Sequence, residues 1–328
     1  ELFLELLDKL YYFWISYDRF LIYRTSRNFN KIRTRSIIDD TVERLNNVIK
    51  NTYRDIKENL AEEEPQTYRQ TRAGVDITAI TKNYDGLMDF GPYRKFSSVP
   101  VIRKIILAPP LILNPAMNKR TGSFEKIDVN PFTLFNIKTD DWLCYPAKVG
   151  PLLIFVYFHK LFIDHGMSLC NLFELADEDD LTKKPDAVYA YGVEGTALDG
   201  LGVFPTVFYE DNENDILAGA IPGRDEFGYF GYLKKMILTL HNIKMMKTGR
   251  MPFHGAFVRI ILKGGKEANI LLMGDSGAGK SETLEALRYT GDEYIQDIII
   301  IADDMGTIEI TDKKNIMAYG TEIGAFLR

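Results

Sequence analysis

The chain has 328 residues, 46% hydrophobic and 26% charged, which is enough apolar material for sizeable cores and excludes disordered, collagen-like and low-complexity classes. Lys and Arg total 40 against 46 Asp and Glu, a formal net charge of −6, so no overall basic field exists to attract a nucleic acid backbone. Cys144 and Cys170 are the two cysteines, with no Cys-x-x-Cys pair, so a disulfide framework and a thiolate zinc site are both unsupported and a reducing, cytoplasmic setting is expected.

The start at Glu1 rather than Met, without a secretory leader pattern, reads as a trimmed chain or a fragment. From Glu1 to about Arg24, Phe3, Leu7, Leu10, Trp14, Tyr17 and Leu21 recur at three- and four-residue steps, the spacing of one helix face. Ile38, Val42, Leu45, Ile49, Ile56 and Leu60 make a second such stripe, which the acidic run Glu62 to Glu64 and Pro65 should stop. Residues 1–70 therefore read as a helical arm, either a docking or oligomerisation element or a hairpin packed on its own domain.

Residues 71–249 change to short β-branched and aromatic runs, Val101 to Leu107, Leu152 to Phe158 and Val203 to Tyr209, broken by Pro, Gly, Asn and Asp, which predicts a mixed α/β domain. Val149 to Ile163 is the longest apolar stretch, but Gly150, Pro151, His159 and Lys160 interrupt it and it falls short of the ~20 residues of a membrane span, so no membrane partner is expected. Asp177 to Asp186 reads as a solvated charged loop. A second domain, 250–328, opens near Met251, with strand-like stretches at Phe257 to Leu262, Asn269 to Met273 and Ile298 to Ala302.

Within it, Gly274-Asp275-Ser276-Gly277-Ala278-Gly279-Lys280-Ser281 satisfies G-x-x-x-x-G-K-[ST], between an apolar strand and a helix-forming run, Ser281 to Arg288. The glycines let backbone amides approach phosphates, Lys280 supplies a point charge to the β and γ phosphates, and Ser281 can ligate magnesium. Asp303-Asp304, after Ile298 to Ala302, places acids where they can meet that magnesium or accept a proton.

These residues resemble the superfamily of phosphoenolpyruvate carboxykinases and bacterial HPr kinases. Gly274 to Glu282, with Ala302-Asp303-Asp304 downstream and His254-Gly255 upstream, is similar to HPr kinases. Tyr229-Phe230-Gly231-Tyr232-Leu233-Lys234-Lys235 resembles the Tyr-Ala-Gly-Glu-Met-Lys-Lys of ATP-dependent phosphoenolpyruvate carboxykinases, and Met251-Pro252-Phe253-His254 their Met-Pro-Met-His, with the same Lys-to-His spacing. The likeness covers about Asp225 to Arg328.

The resemblance implies a two-domain α/β carboxykinase-like fold: a helical arm, a mixed α/β domain and a P-loop nucleotide-binding domain. It implies Lys235, His254 and Asp304 as ligands of manganese or magnesium, with Asp303 beside them, and Tyr229 facing a small carboxylate. Lys235, Lys280 and Asp303 would be catalytic, and Gly274 to Glu282 would bind the nucleotide. Taken alone, Lys235 reads as a solvated helix residue and His254 as a satisfied polar residue near a strand. The family's substrate arginine lies in Thr-Gly-Arg-Ser-Pro-Lys; the nearest text here, Arg120-Thr121-Gly122-Ser123-Phe124-Glu125-Lys126, has its Arg before the Thr-Gly, leaving Arg120 as the candidate or a surface turn.

Family carboxykinases continue well beyond the position of Arg328, so the nucleotide domain is expected to be incomplete here. The implied activity is metal-dependent decarboxylation of oxaloacetate, with transfer of the γ-phosphoryl group of ATP to give phosphoenolpyruvate. A kinase of the HPr type acting on a protein or small-molecule hydroxyl, and a nucleotide-binding regulator, are the alternatives.

Overall fold

A computed structural model describes residues 2–15, 41–60, 66–69, 77–84, 86–107, 115–274, 283, 286 and 294–323. The chain divides into two compact units, Glu1–Gln66 and Thr67–Arg328. The first holds helices α1 (Leu2–Ile15) and α2 (Thr41–Leu60). They are tied by Tyr11 stacked on Tyr53, ring centroids 4.1 Å apart, and by Asp8, whose Oδ1 accepts from Tyr53 Oη at 2.5 Å and Lys57 Nζ at 2.9 Å. The remainder of the first predicted stripe, and the acidic run with Pro65, lie outside the described residues.

The second unit is mixed α/β, with one mixed and one antiparallel sheet. Its strands in chain order are β1 (Gln66–Arg69), β2 (Ile77–Lys82), β3 (Val101–Leu107), β4 (Glu125–Lys126), β5 (Trp142–Val149), β6 (Leu152–His159), β7 (Glu174–Leu175), β8 (Ala187–Val193), β9 (Val207–Asp211), β10 (Ile216–Pro222), β11 (Met251–Leu262), β12 (Glu267–Met273), β13 (Ile295–Ile310) and β14 (Ile316–Gly320). Helix α3 (Ile163–Ser168) follows β6, and helix α4 (Phe230–Lys247) joins β10 to β11. The large sheet runs β1-β2-β3-β5-β6-β8-β10-β9-β4, with β7 on β5; the small one runs β12-β11-β13-β14.

The apolar stretch from Val149 is the second half of a hairpin, β5 turning at Gly150 (φ +57°) into β6. Strands β6, β8 and β10 pair in parallel at the centre, and burial on both faces is why they read as unbroken apolar runs. One face carries α4, with Phe230, Leu233, Met236, Ile237 and Leu240 packed on Tyr189, Tyr191, Ile154 and Leu217; the other is filled by Tyr93, Phe96, Phe132, Phe135 and Trp142. Each such side chain contributes about 1.5–3 kcal/mol by leaving water.

Helix α4 packs against both sheets and buries Phe230, Leu233, Met236, Ile237 and Leu240, while its Lys235, Met246 and Lys247 reach solvent. His241, fully buried, brings Nε2 within 3.5 Å of Thr307 Oγ1 on β13.

Three local expectations change. The strand predicted to end at Ala302 runs on to Ile310, so Asp303 and Asp304 lie inside β13, beside an irregularity in its pairing with β11 between Phe257 and Val258. Of the run Val203 to Tyr209, only the part from Val207 is strand, because Glu125 takes the Val203 and Phe204 amides at 2.9 and 3.1 Å into a turn. Asp186, in the loop read as solvated, is half-buried and accepts from the Leu153 amide at 2.9 Å, fixing the loop to β6. No helix among the described residues is long and apolar enough to cross a membrane.

Candidate active site

Antiparallel pairing builds the site. Strand β11 is central in the small sheet, and Gly255 pairs with Met273 of β12 on one side and Asp304 of β13 on the other. A side chain at Gly255 could not fit, since its Cβ would lie 2.4 Å from the Leu272 carbonyl oxygen. Gly274, first residue of the phosphate-loop motif, therefore leaves the sheet at the level of Asp304, two inter-strand spacings or about 10 Å away. Asp275, Ser276, Gly277, Ala278, Gly279, Lys280, Ser281 and Glu282 lie outside the described residues. In the run that follows, Thr283 and Ala286 are helical.

Two of the candidate ligands, from separate segments, converge on the carboxylate of the third, Asp304. His254 Nε2 is 2.9 Å from Asp304 Oδ1, and Lys235 Nζ is 3.2 Å from Oδ2. A carboxylate only accepts, so Nε2 carries the hydrogen in that contact. Asp304 itself has φ +118°, a costly conformation for a residue with a Cβ. Asp303 pairs with Ala256 and is half-buried.

Two further residues, not singled out from sequence, complete the cluster. Lys234 Nζ donates to Asp304 Oδ2 at 2.8 Å and stands 2.7 Å from Glu322 Oε1. Exposure falls inward: His254 and Lys235 side chains are 42% and 40% exposed, Lys234 13% and Glu322 4%. The cluster thus opens to solvent on its His254 and Lys235 side.

The electrostatics follow from this packing. Burial alone would raise the Asp304 carboxyl, but the Lys234 and Lys235 ammonium groups hold it well below the usual carboxylate range. Burial works against charge on Lys234, and the Glu322 and Asp304 carboxylates outweigh it and push the amine upward. Burial pushes the Glu322 carboxyl up, with Lys234 pulling it back. Asp304 is accordingly a firmly ionised carboxylate.

The substrate-side candidates lie at the start of α4. Tyr229 is its half-buried N-cap residue, packed against the core of the large sheet. Arg120 is exposed, its guanidinium 4.7 Å from the Phe124 ring centroid. Its turn is clipped to α4, where the buried Tyr232 Oη accepts from the Thr121 amide at 3.0 Å and donates to the Thr121 carbonyl at 2.7 Å. Tyr232 lies one helical turn before Lys235, so Arg120, Tyr229 and Lys235 are arranged around the first two turns of α4.

Among the described residues, no group of three or more His, Cys, Asp or Glu side chains could hold a metal ion. The candidate set is different: one amine, one imidazole and one carboxylate, with the Glu322 Oε2 atom buried nearby and without a hydrogen-bond partner among the described residues. Mixed nitrogen and oxygen donors around an ionised carboxylate fit manganese better than magnesium, which prefers an all-oxygen shell. No family model matches this chain, and no curated protein matches it.

Proposed function

We propose that the chain is a phosphoenolpyruvate carboxykinase-like enzyme, with a divalent metal at Lys235, His254 and Asp304 and ATP on the loop from Gly274 to Ser281. The observation that carries this reading is the meeting of Lys235 and His254 on Asp304, at the end of the sheet from which the phosphate loop departs. A purely structural ion pair has no need of three segments, a strained Asp304 backbone and a strand end leading into a phosphate loop. A two-domain carboxykinase-like arrangement, with a P-loop domain after the mixed α/β domain, is part of the proposal.

A divalent cation there supplies a Lewis acid that offsets negative charge developing on a substrate oxygen. Asp304 offers an ionised carboxylate, His254 and Lys235 offer nitrogen donors on the open side, and Lys235 must lose its proton to do so. Lys234 remains as an ammonium beside the reacting groups. Tyr229 and Arg120 bound the approach at the start of α4, where a cationic guanidinium suits a small dicarboxylate. Ser281 would hold a magnesium ion, which with the Lys280 ammonium would offset the charge of the phosphates.

The test is a coupled assay offering oxaloacetate and ATP with manganese. Phosphoenolpyruvate formation that is lost in Lys235→Ala and Lys280→Ala supports the reading. ATP consumption with a protein hydroxyl acceptor, and none with oxaloacetate, supports the HPr-type kinase instead.

A further inference from the structure

Glu322 is the most enclosed ionisable group of the cluster. It lies just after β14, where Thr321 is buried and bound through its amide to the Met305 carbonyl at 3.3 Å, and the Ile323 amide donates to the Leu172 carbonyl at 2.7 Å. The backbone on both sides of Glu322 is thus fixed to the fold. Its Oε1 faces Lys234 Nζ at 2.7 Å, an ion pair outside hydrogen-bond angles, while Oε2 is buried and makes no hydrogen bond among the described residues. Lys234 is consequently one ammonium between two carboxylates, hydrogen-bonded to Asp304 at 2.8 Å and only ion-paired to Glu322.

A buried carboxylate oxygen without a hydrogen-bond donor is costly unless something uses it. Asp304 meanwhile is shared by Lys234, Lys235 and His254, and a metal ion bound there must displace some of that positive charge. The spare acceptor capacity for a displaced ammonium lies on Glu322, on the far side of the same nitrogen.

We infer that Glu322 is a positioning residue that receives the Lys234 ammonium when a divalent cation claims Asp304. The inference rests on the metal-site reading above. It makes Glu322 necessary for metal affinity without being a ligand, and it makes that necessity depend on Lys234.

The experiment is a manganese titration, followed by spin resonance, of the full chain as wild type, Glu322→Gln, Lys234→Met and the double variant. Wild type should bind manganese, and Glu322→Gln should bind it about ten-fold or more weakly, because Lys234 is then left on Asp304. The double variant should recover affinity to near that of Lys234→Met, since no ammonium remains to be received. A Glu322→Gln variant that binds as tightly as wild type, or a double variant as weak as Glu322→Gln, overturns the inference while leaving the metal site standing. Wild type that binds no manganese overturns the metal-site reading and this inference with it. Where Glu322→Gln does not fold, Glu322→Asp keeps the charge but withdraws it by one methylene; weakened binding supports the inference and wild-type affinity overturns it.

Discussion

His254 Nε2 lies 2.9 Å from Asp304 Oδ1, although the pairing of β11 with β13 sets Gly255, not His254, opposite Asp304. Alternation along a strand would send the two side chains to opposite faces. The φ of +118° at Asp304 marks where the pleat is broken at the meeting point of the two residues. Asp304→Gly and Asp304→Ala both remove the carboxylate, but only glycine accepts that φ without strain. Glycine should therefore be the more stable variant by roughly 1 kcal/mol, after its greater unfolded-state entropy is set against the relief. Urea unfolding of the two variants decides this, and an alanine variant as stable as the glycine one counts against strain at Asp304.

The sequence resemblance singles out Lys235, His254 and Asp304, and what the structure adds is that their side chains lie within hydrogen-bond distance of one another through the Asp304 carboxylate. Lys234 and Glu322 were not legible in the same way. Lys234 adjoins Lys235 in the same run and nothing in the spacing separates the two, and Glu322 acquires its meaning only from burial and from a contact 88 residues away in sequence. The central strands were readable from unbroken apolar runs such as Leu152 to Phe158, since burial on both faces leaves no alternation to find. Helix α4 was harder for a related reason: it packs against both sheets, and its buried residues, such as Leu233, Met236, Ile237, Leu238 and Leu240, are spread round the helix rather than confined to one three- and four-residue stripe. Strand β13 ran past Asp303 and Asp304 because β11 and β14 pair with its second half, a long-range contact that local acidity cannot reveal.

Gly255→Ala tests the route from the sheet to the phosphate loop. The added methyl group would meet the Leu272 carbonyl at 2.4 Å, so β12 must shift just before Gly274. Overpacking of this kind costs about 1–3 kcal/mol. ATP affinity should fall in protein that is still folded by circular dichroism. Unchanged affinity would separate this part of β11 from the nucleotide site.

Stability should decline on acidification in two stages. Burial lowers His241 and His165 below their ordinary value of 6.5, so the unfolded chain binds more protons and stability falls as the pH drops below about 6.5. Asp304 is depressed in the folded chain, so its contribution is present above the ordinary carboxylate value of 3.8 and is lost as the pH falls through its lowered folded value. His241→Gln should flatten the first stage only. Urea midpoints measured at intervals from pH 8 to pH 3 check both signs, and a rise in stability between pH 7 and pH 5 would contradict the burial of neutral histidines.

Nucleotide binding should depend on Lys280 and not on the helical arm. Loss of one charge-assisted phosphate contact in Lys280→Ala should cost roughly 1.5–3 kcal/mol, or one to two decades in affinity for magnesium-ATP. Deletion of residues 1–60, which belong to the first compact unit, should leave that affinity within a factor of about three if the arm serves assembly alone. Calorimetric titration of the variants gives both ratios. Equal affinities for wild type and Lys280→Ala would remove the phosphate role of this lysine.

The most direct test of the account is a manganese titration without nucleotide, followed by spin resonance, on wild type, His254→Ala and Lys235→Ala. Wild type should bind manganese, each variant should bind about ten-fold or more weakly, and magnesium-ATP affinity should stay nearly intact in both. If both variants bind manganese as tightly as wild type, Lys235 and His254 do not serve a metal on Asp304 and the carboxykinase-like site is not formed.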